Sequence, residues 1–122
     1  MNAYALPNGL VVDVCEKAVV WIWAMFFAHA KKGAGLAISI EPIDGRSCVR
    51  VQSVYAATYR AVVVWLDIQT GEVVFDGSEQ EPIRIDIDAL PSAYAPGWRA
   101  NAQRIGELAA DEATARWEEI GV

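Results

Sequence analysis

At 122 residues, 54% of them hydrophobic and 21% charged, the chain is long enough for one domain with a real core and too apolar to be disordered. The formal net charge of −6 is uneven: Met1–Arg60 carries a balance of +2 and Ala61–Val122 a balance of −8. An acidic half of this kind repels nucleic-acid phosphates and anionic membranes and attracts basic protein surfaces, although solubility alone also explains it.

In chain order, Pro7-Asn8-Gly9 is a turn signal, and Leu10 to Val12 reads as a short strand or a lead-in. Asp13 and Glu16 then have the spacing of a capping box, with Asp in place of Ser or Thr. Ala18 to Ala28 follows, eleven residues without a polar side chain, including two Trp, two Phe and a Met. Lys31 and Lys32 suit a helix C-terminus, and Gly33 suits the left-handed position after it. Together these signals predict a helix over about 14–32, apolar all round and therefore buried all round.

The apolar run is shorter than the ~20 residues of a membrane-spanning helix. Ala28-His29-Ala30 resembles a signal-peptidase site, but Asp13 and Glu16 lie before the apolar core and Lys31 and Lys32 after it. That charge order is wrong for a secretory signal. Two cysteines, Cys15 and Cys48, are too few for a disulfide framework. Free thiols in a reducing cytoplasm are expected, with a single Cys15–Cys48 bridge as the alternative.

Leu36 to Ile43 alternates like a half-buried strand, and Asp44-Gly45 is a hairpin turn. Ser47 to Tyr55 returns with Val49 and Val51 facing in and Arg50 and Gln52 facing out. Tyr59 to Ile68 contains an apolar run, 61–66, fit for a central strand. Thr70-Gly71 turns the chain, Glu72 to Phe75 returns, and 83–88 alternates Ile83, Ile85 and Ile87 with Arg84, Asp86 and Asp88. That alternation is the clearest period-two pattern in the chain and predicts another strand. Pro96 opens a C-terminal amphipathic helix over about 96–119, with Trp98, Ala102, Ile105, Leu108/Ala109, Ala113 and Trp117 as its apolar stripe. Glu112 and Arg116 are spaced to pair along it, and Gly106 weakens its middle by ~1 kcal/mol relative to Ala. The sum is one α+β domain over 1–122: an antiparallel sheet of four to five strands between two helices. The first helix covers one sheet face, and the second the other face, an edge or a neighbouring subunit.

Chemistry is sparse. His29 is the only histidine, so a multi-His metal site is excluded within one chain. On one helix it stands ~21 Å from Cys15, too far for a nucleophile–base pair. Asp86 and Asp88, ~7 Å apart on one strand face, have the form of a cation or acid–base pair, or of a charged edge that resists edge-to-edge pairing. Lys31-Lys32-Gly33-Ala34-Gly35 follows a helix instead of opening one and lacks the phosphate-loop pattern. No cofactor, metal or catalytic residue is assigned, and the reading leans away from an enzyme.

The acidic run is the feature on which a partner can be hung. Asp67, Glu72, Asp76, Glu79, Glu81, Asp86 and Asp88 are seven acids within twenty-two residues, against one Arg84. The first reading is a small non-enzymatic binding protein, an inhibitor or immunity-type factor. It engages a basic protein through Asp76, Glu79, Glu81, Asp86, Asp88 and Trp98. The alternative is a homodimeric domain that binds or acts on a small ligand in a cleft between the sheet and the C-terminal helix, lined by Tyr55, Tyr59, Arg60 and Tyr94. A plainer third is a subunit whose apolar helix packs against its own copy.

Overall fold

The structure is a computed structural model describing residues 3–54, 63–77, 83–90, 93 and 96–119, with the backbone alone at 54 and 116–119. A small hairpin comes first. Strands β1 (Ala3–Ala5) and β2 (Val11–Asp13) pair antiparallel across the Pro7-Asn8-Gly9 turn. Gly9 adopts φ +87°, and the Asn8 side chain accepts from the Leu10 N–H at 3.1 Å. Helix α1 follows over Glu16–Lys31.

Asp13 does not cap α1. It ends β2, opposite Ala3, and the N-cap is Cys15, whose side chain makes no capping bond. The Cys15 N–H instead donates to the Ile68 carbonyl at 2.7 Å, so a tertiary contact fixes the helix start where a local box was expected. The other end follows the sequence. Gly33 has φ +73°, its N–H donates to the Ala30 carbonyl, and the Ala34 N–H donates to the His29 carbonyl. This pair of bonds is the Schellman pattern.

The main sheet has four antiparallel strands in the order β3 (Gly35–Ile43), β4 (Arg46–Val54), β5 (Val63–Asp67), β6 (Val73–Asp76). Asp44 and Gly45, at φ 50° and 77°, make the tight turn between β3 and β4. Val49 stands opposite Leu66 and Val51 opposite Val64, and all four are buried in one cluster with the apolar residues of α1. The other sheet face carries Arg50, Trp65 and Phe75 side by side. The Arg50 guanidinium lies 5.2 Å over the Trp65 ring, and the two aromatic rings meet edge to face at 5.2 Å. Trp65 is thus half-buried on the face turned from α1, although the apolar run 61–66 reads as a strand buried on both faces. Arg46 pins the strand ends by pairing with Asp67 and Glu72, each at 2.7 Å.

The alternating stretch 83–88 is not a sheet strand. Its residues alternate in burial as expected, with Ile83 fully buried and Arg84, Asp86 and Asp88 exposed, but it forms no ladder. The Ile85 carbonyl is taken by the Trp21 indole N–H at 3.0 Å. Asp86 then caps a 3-10 turn, Ile87–Ala89, by accepting from the Asp88 N–H. Side-chain bonds have captured the backbone groups a ladder would use.

Helix α2 (Trp98–Glu119) packs along α1 and not on the sheet's second face or at its edge. The order of layers is sheet, α1, α2, which explains why α1 has no polar face. The seam also differs from the expected stripe. Ala102, Gly106, Ala109, Ala110 and Ala113 are buried, whereas Ile105 is half-buried and Leu108 is 52% exposed. Small residues bring the two backbones together. A Cβ on Gly106 would lie 2.2 Å from the Ala24 carbonyl oxygen and 3.1 Å from the Ala28 nitrogen. The glycine that looked like a weak point is where the helices touch. At the end of α1, Lys31 bonds Asp111 at 2.8 Å and Lys32 bonds Thr114. The expected Glu112–Arg116 pair and the Trp117 side chain lie outside the described residues.

Gly106→Ala tests this seam. Helix propensity alone favours Ala by ~1 kcal/mol, but the clash is with rigid backbone, and overpacking costs about 1–3 kcal/mol. The expected outcome is net destabilisation, read as a lower urea midpoint at unchanged slope; a stabilised variant would refute the close contact.

Candidate functional site

Two of the acidic residues come together on a cleft. It has a volume of about 500 Å³ and lies between the edge of the sheet and the 83–87 segment. Trp21 of α1, Val64 and Leu66 of β5, and Ile83, Ile85 and Ile87 provide its apolar lining, while Asp76, Arg84 and Asp86 supply its charges. Asp76 reaches it because it pairs with Val64 in register and so shares the sheet's inner face. Asp86 reaches it from the extended residue before the 3-10 turn. Trp21 is both wall and brace, since its indole holds the 83–87 segment at Ile85.

The remaining acidic residues are placed differently. Asp88 is turned away to Lys17, at 3.1 Å, and does not line the cleft. Asp67 belongs to the Arg46 cluster. Burial alone would raise its carboxyl pKa, but the backbone N–H of Gln69, the Arg46 guanidinium and the Thr70 N–H outweigh this and hold it below its ordinary value. Glu79 and Glu81 lie outside the described residues, as do all four residues of the alternative pocket: Tyr55, Tyr59, Arg60 and Tyr94.

Trp98 belongs to a separate cluster. It is half-buried, edge to face with Tyr4 at 6.3 Å, with the Arg99 guanidinium 5.3 Å from its ring and 4.4 Å from that of Trp23. Trp23 in turn packs against Phe26 and Phe27 and donates its indole N–H to the Ala5 carbonyl at 3.0 Å. The initial hairpin is fastened to α1 through these aromatic groups.

A second, smaller groove of about 250 Å³ runs between Arg84–Leu90 and α2, lined by Ile105, Leu108, Ala109 and Glu112. Arg84, Ile85 and Asp86 border both grooves. The half-buried Ile105 and exposed Leu108, left out of the helix seam, are therefore groove residues. Sequence reasoning missed both them and Trp21 as lining; only the rotation of the α2 seam reveals the first two.

The groups with reactive side chains are dispersed. His29 is completely buried in the last turn of α1, with its Nδ1 2.7 Å from the Met25 carbonyl oxygen, and burial pushes its pKa down. Cys15 and Cys48 are free thiols, and burial pushes the Cys48 thiol up, which makes it a poor nucleophile. Among the described residues no group of three His, Cys, Asp or Glu could hold a metal ion, and no described helix is long and apolar enough to cross a membrane.

Compared with protein-family models, with curated proteins and with solved structures, the chain matches none.

The buried histidine sets a pH dependence. Its pKa in the fold lies below the unfolded value of ~6.5, so the unfolded chain binds the proton more readily. The His29 contribution is complete above ~6.5 and declines as pH falls toward the folded pKa. Stability should fall as pH drops below about 6.5, and His29→Gln should flatten that slope in denaturant titrations. An unchanged slope would assign the acid loss to other groups. Asp67, whose pKa is also depressed, adds a separate loss only in the carboxylate range, below ~4.

Proposed function

We propose that this domain is a small, acidic, non-enzymatic binding protein that engages a basic partner through the cleft at the sheet edge. The observation that carries this reading is the convergence of Asp76 and Asp86 on the rim of an apolar cleft. An apolar floor gives affinity through desolvation, and carboxylates at the rim select and steer a cation. Among the described residues the lining carries Asp76, Asp86 and Arg84, in a chain whose net charge is −6. An inhibitor or immunity-type factor acting on a basic protein has this chemistry. A second reading is a small cationic apolar molecule in the same place, supported by a volume of about 500 Å³, within the range of small-molecule pockets.

The test compares capture of partners from host lysate by wild type, by an Asp76→Lys/Asp86→Lys variant and by Asp88→Lys, at low and high salt. The expected result is a partner held by wild type and by Asp88→Lys, released by the double variant and weakened by salt. Asp88 is the control because it carries the same charge outside the cleft. Equal capture by all three proteins, or none by any, would overturn the reading, and thermal-shift screening with small organic cations would then decide on the second.

A further inference from the structure

Strand β3 lies at the opposite edge of the sheet from the cleft and pairs, among the described residues, with β4 alone. The register fixes which way its backbone groups point. In an antiparallel strand the N–H and C=O of one residue face the same side, and the side alternates along the chain. In β4 the Ser47 carbonyl accepts from the Ile68 N–H at 3.1 Å, toward β5, so Cys48, Arg50 and Gln52 face β3. Their partners Glu41, Ser39 and Ala37 close that ladder. Leu36, Ile38, Ile40 and Pro42 therefore turn their backbone groups outward. Pro42 fits such a position because it has no N–H to leave unpaired.

None of the residues of β3 is fully buried, and Ile40 is 38% exposed. Among the described residues the outward edge makes one hydrogen bond: the Asn8 side chain donates to the Ile38 carbonyl at 3.1 Å. The same side chain accepts from the Leu10 N–H, so one residue both shapes the β1–β2 turn and holds the edge at its middle. A second bond, from the Trp23 indole to the Ala5 carbonyl, ties the hairpin to α1.

Without that hold the edge suits a copy of itself. It is nine residues long and carries a single charge, Glu41. A two-fold axis at Ile38 sets Ile38 against Ile38, Ile40 against Leu36, Ser39 against Ala37 and Glu41 against Gly35. Apolar side chains then meet apolar ones, and no like charges stand opposite each other. Each outward pair would exchange both of its backbone bonds. A long, apolar, weakly charged edge self-associates when nothing blocks it.

We propose that the β1–β2 hairpin is a guard on this edge. Asn8 occupies the central outward carbonyl, and with that bond released β3 pairs antiparallel with β3 of a second copy, joining two four-stranded sheets into one. The hairpin thus sets the oligomeric state, by a contact on the side of the sheet away from the cleft.

Two variants test the guard. In Asn8→Ser the hydroxyl still accepts from the Leu10 N–H but is too short to reach Ile38. Trp23→Phe keeps an aromatic ring and drops the donor to Ala5. Sedimentation over a concentration series should show wild type as a monomer and each variant as a dimer. Self-association should tighten about tenfold or more, because neither protomer has to break its guard bond first. Amide hydrogen exchange at 36, 38 and 40 should slow in the dimer. Adding Ile40→Pro to Asn8→Ser removes one outward N–H without touching the β4 ladder, as Pro42 already does, and should restore the monomer. Circular dichroism and urea unfolding establish that each variant is folded. Equal association of wild type and the folded variants, exchange at 36–40 unchanged in the dimer, or a dimer indifferent to Ile40→Pro would each overturn the proposal. A wild-type dimer closed through 36–40 would also refute the guard, and that reading needs no variant.

Discussion

Gly106 lies so close to α1 that an added Cβ would come within 2.2 Å of the Ala24 carbonyl oxygen, and much of the architecture depends on that proximity. A helix whose inner stretch carries no polar side chain needs cover on more than one side. The sheet provides one cover through Val49, Val51, Val64 and Leu66. The second comes from α2, and only a seam of alanines and a glycine lets it approach closely. With larger residues at those positions α2 would stand off, and dispersion contacts along α1 would be lost to the gap.

The same choice of seam has an effect on the other side of the molecule. Because the small residues of α2 face α1, Ile105 and Leu108 rotate away from it and meet the 84–90 segment instead. That segment is held on its other side by the Trp21 indole, so one stretch of chain separates two grooves while being braced by the central helix. Its position is set by the helix core, and the shape of the cleft follows.

Local signals proved legible where they were sufficient by themselves. The Asp44-Gly45 turn, the Gly33 helix end, the inward pair Val49 and Val51 and the α+β class all follow from residue type and period. Errors arose where distant groups outbid local ones. Asp13 and Glu16 have capping-box spacing, but the Ile68 carbonyl takes the Cys15 N–H and moves the helix start. The 83–88 alternation is real in burial, yet Trp21 and Asp86 take the backbone groups a ladder needs. The α2 stripe was weighted toward large side chains, whereas close helix contact selects small ones. Of the acidic site, sequence could supply the residues but not their partition: Asp76 and Asp86 on the cleft, Asp88 on Lys17, Asp67 on Arg46.

The contact between Ala24 and Gly106 also joins positions eighty-two residues apart. Synthesis delivers α1 before the main sheet, and its second cover, α2, only after the sheet strands have emerged. Between those two moments Val19, Ile22, Met25 and their neighbours have at most the sheet to shelter them. Until α2 emerges a nascent chain presents a sticky helix, and the pairing that closes the core is of high sequence separation, the kind that forms slowly. A chain truncated before Gly106 keeps the described strands and still exposes one side of α1.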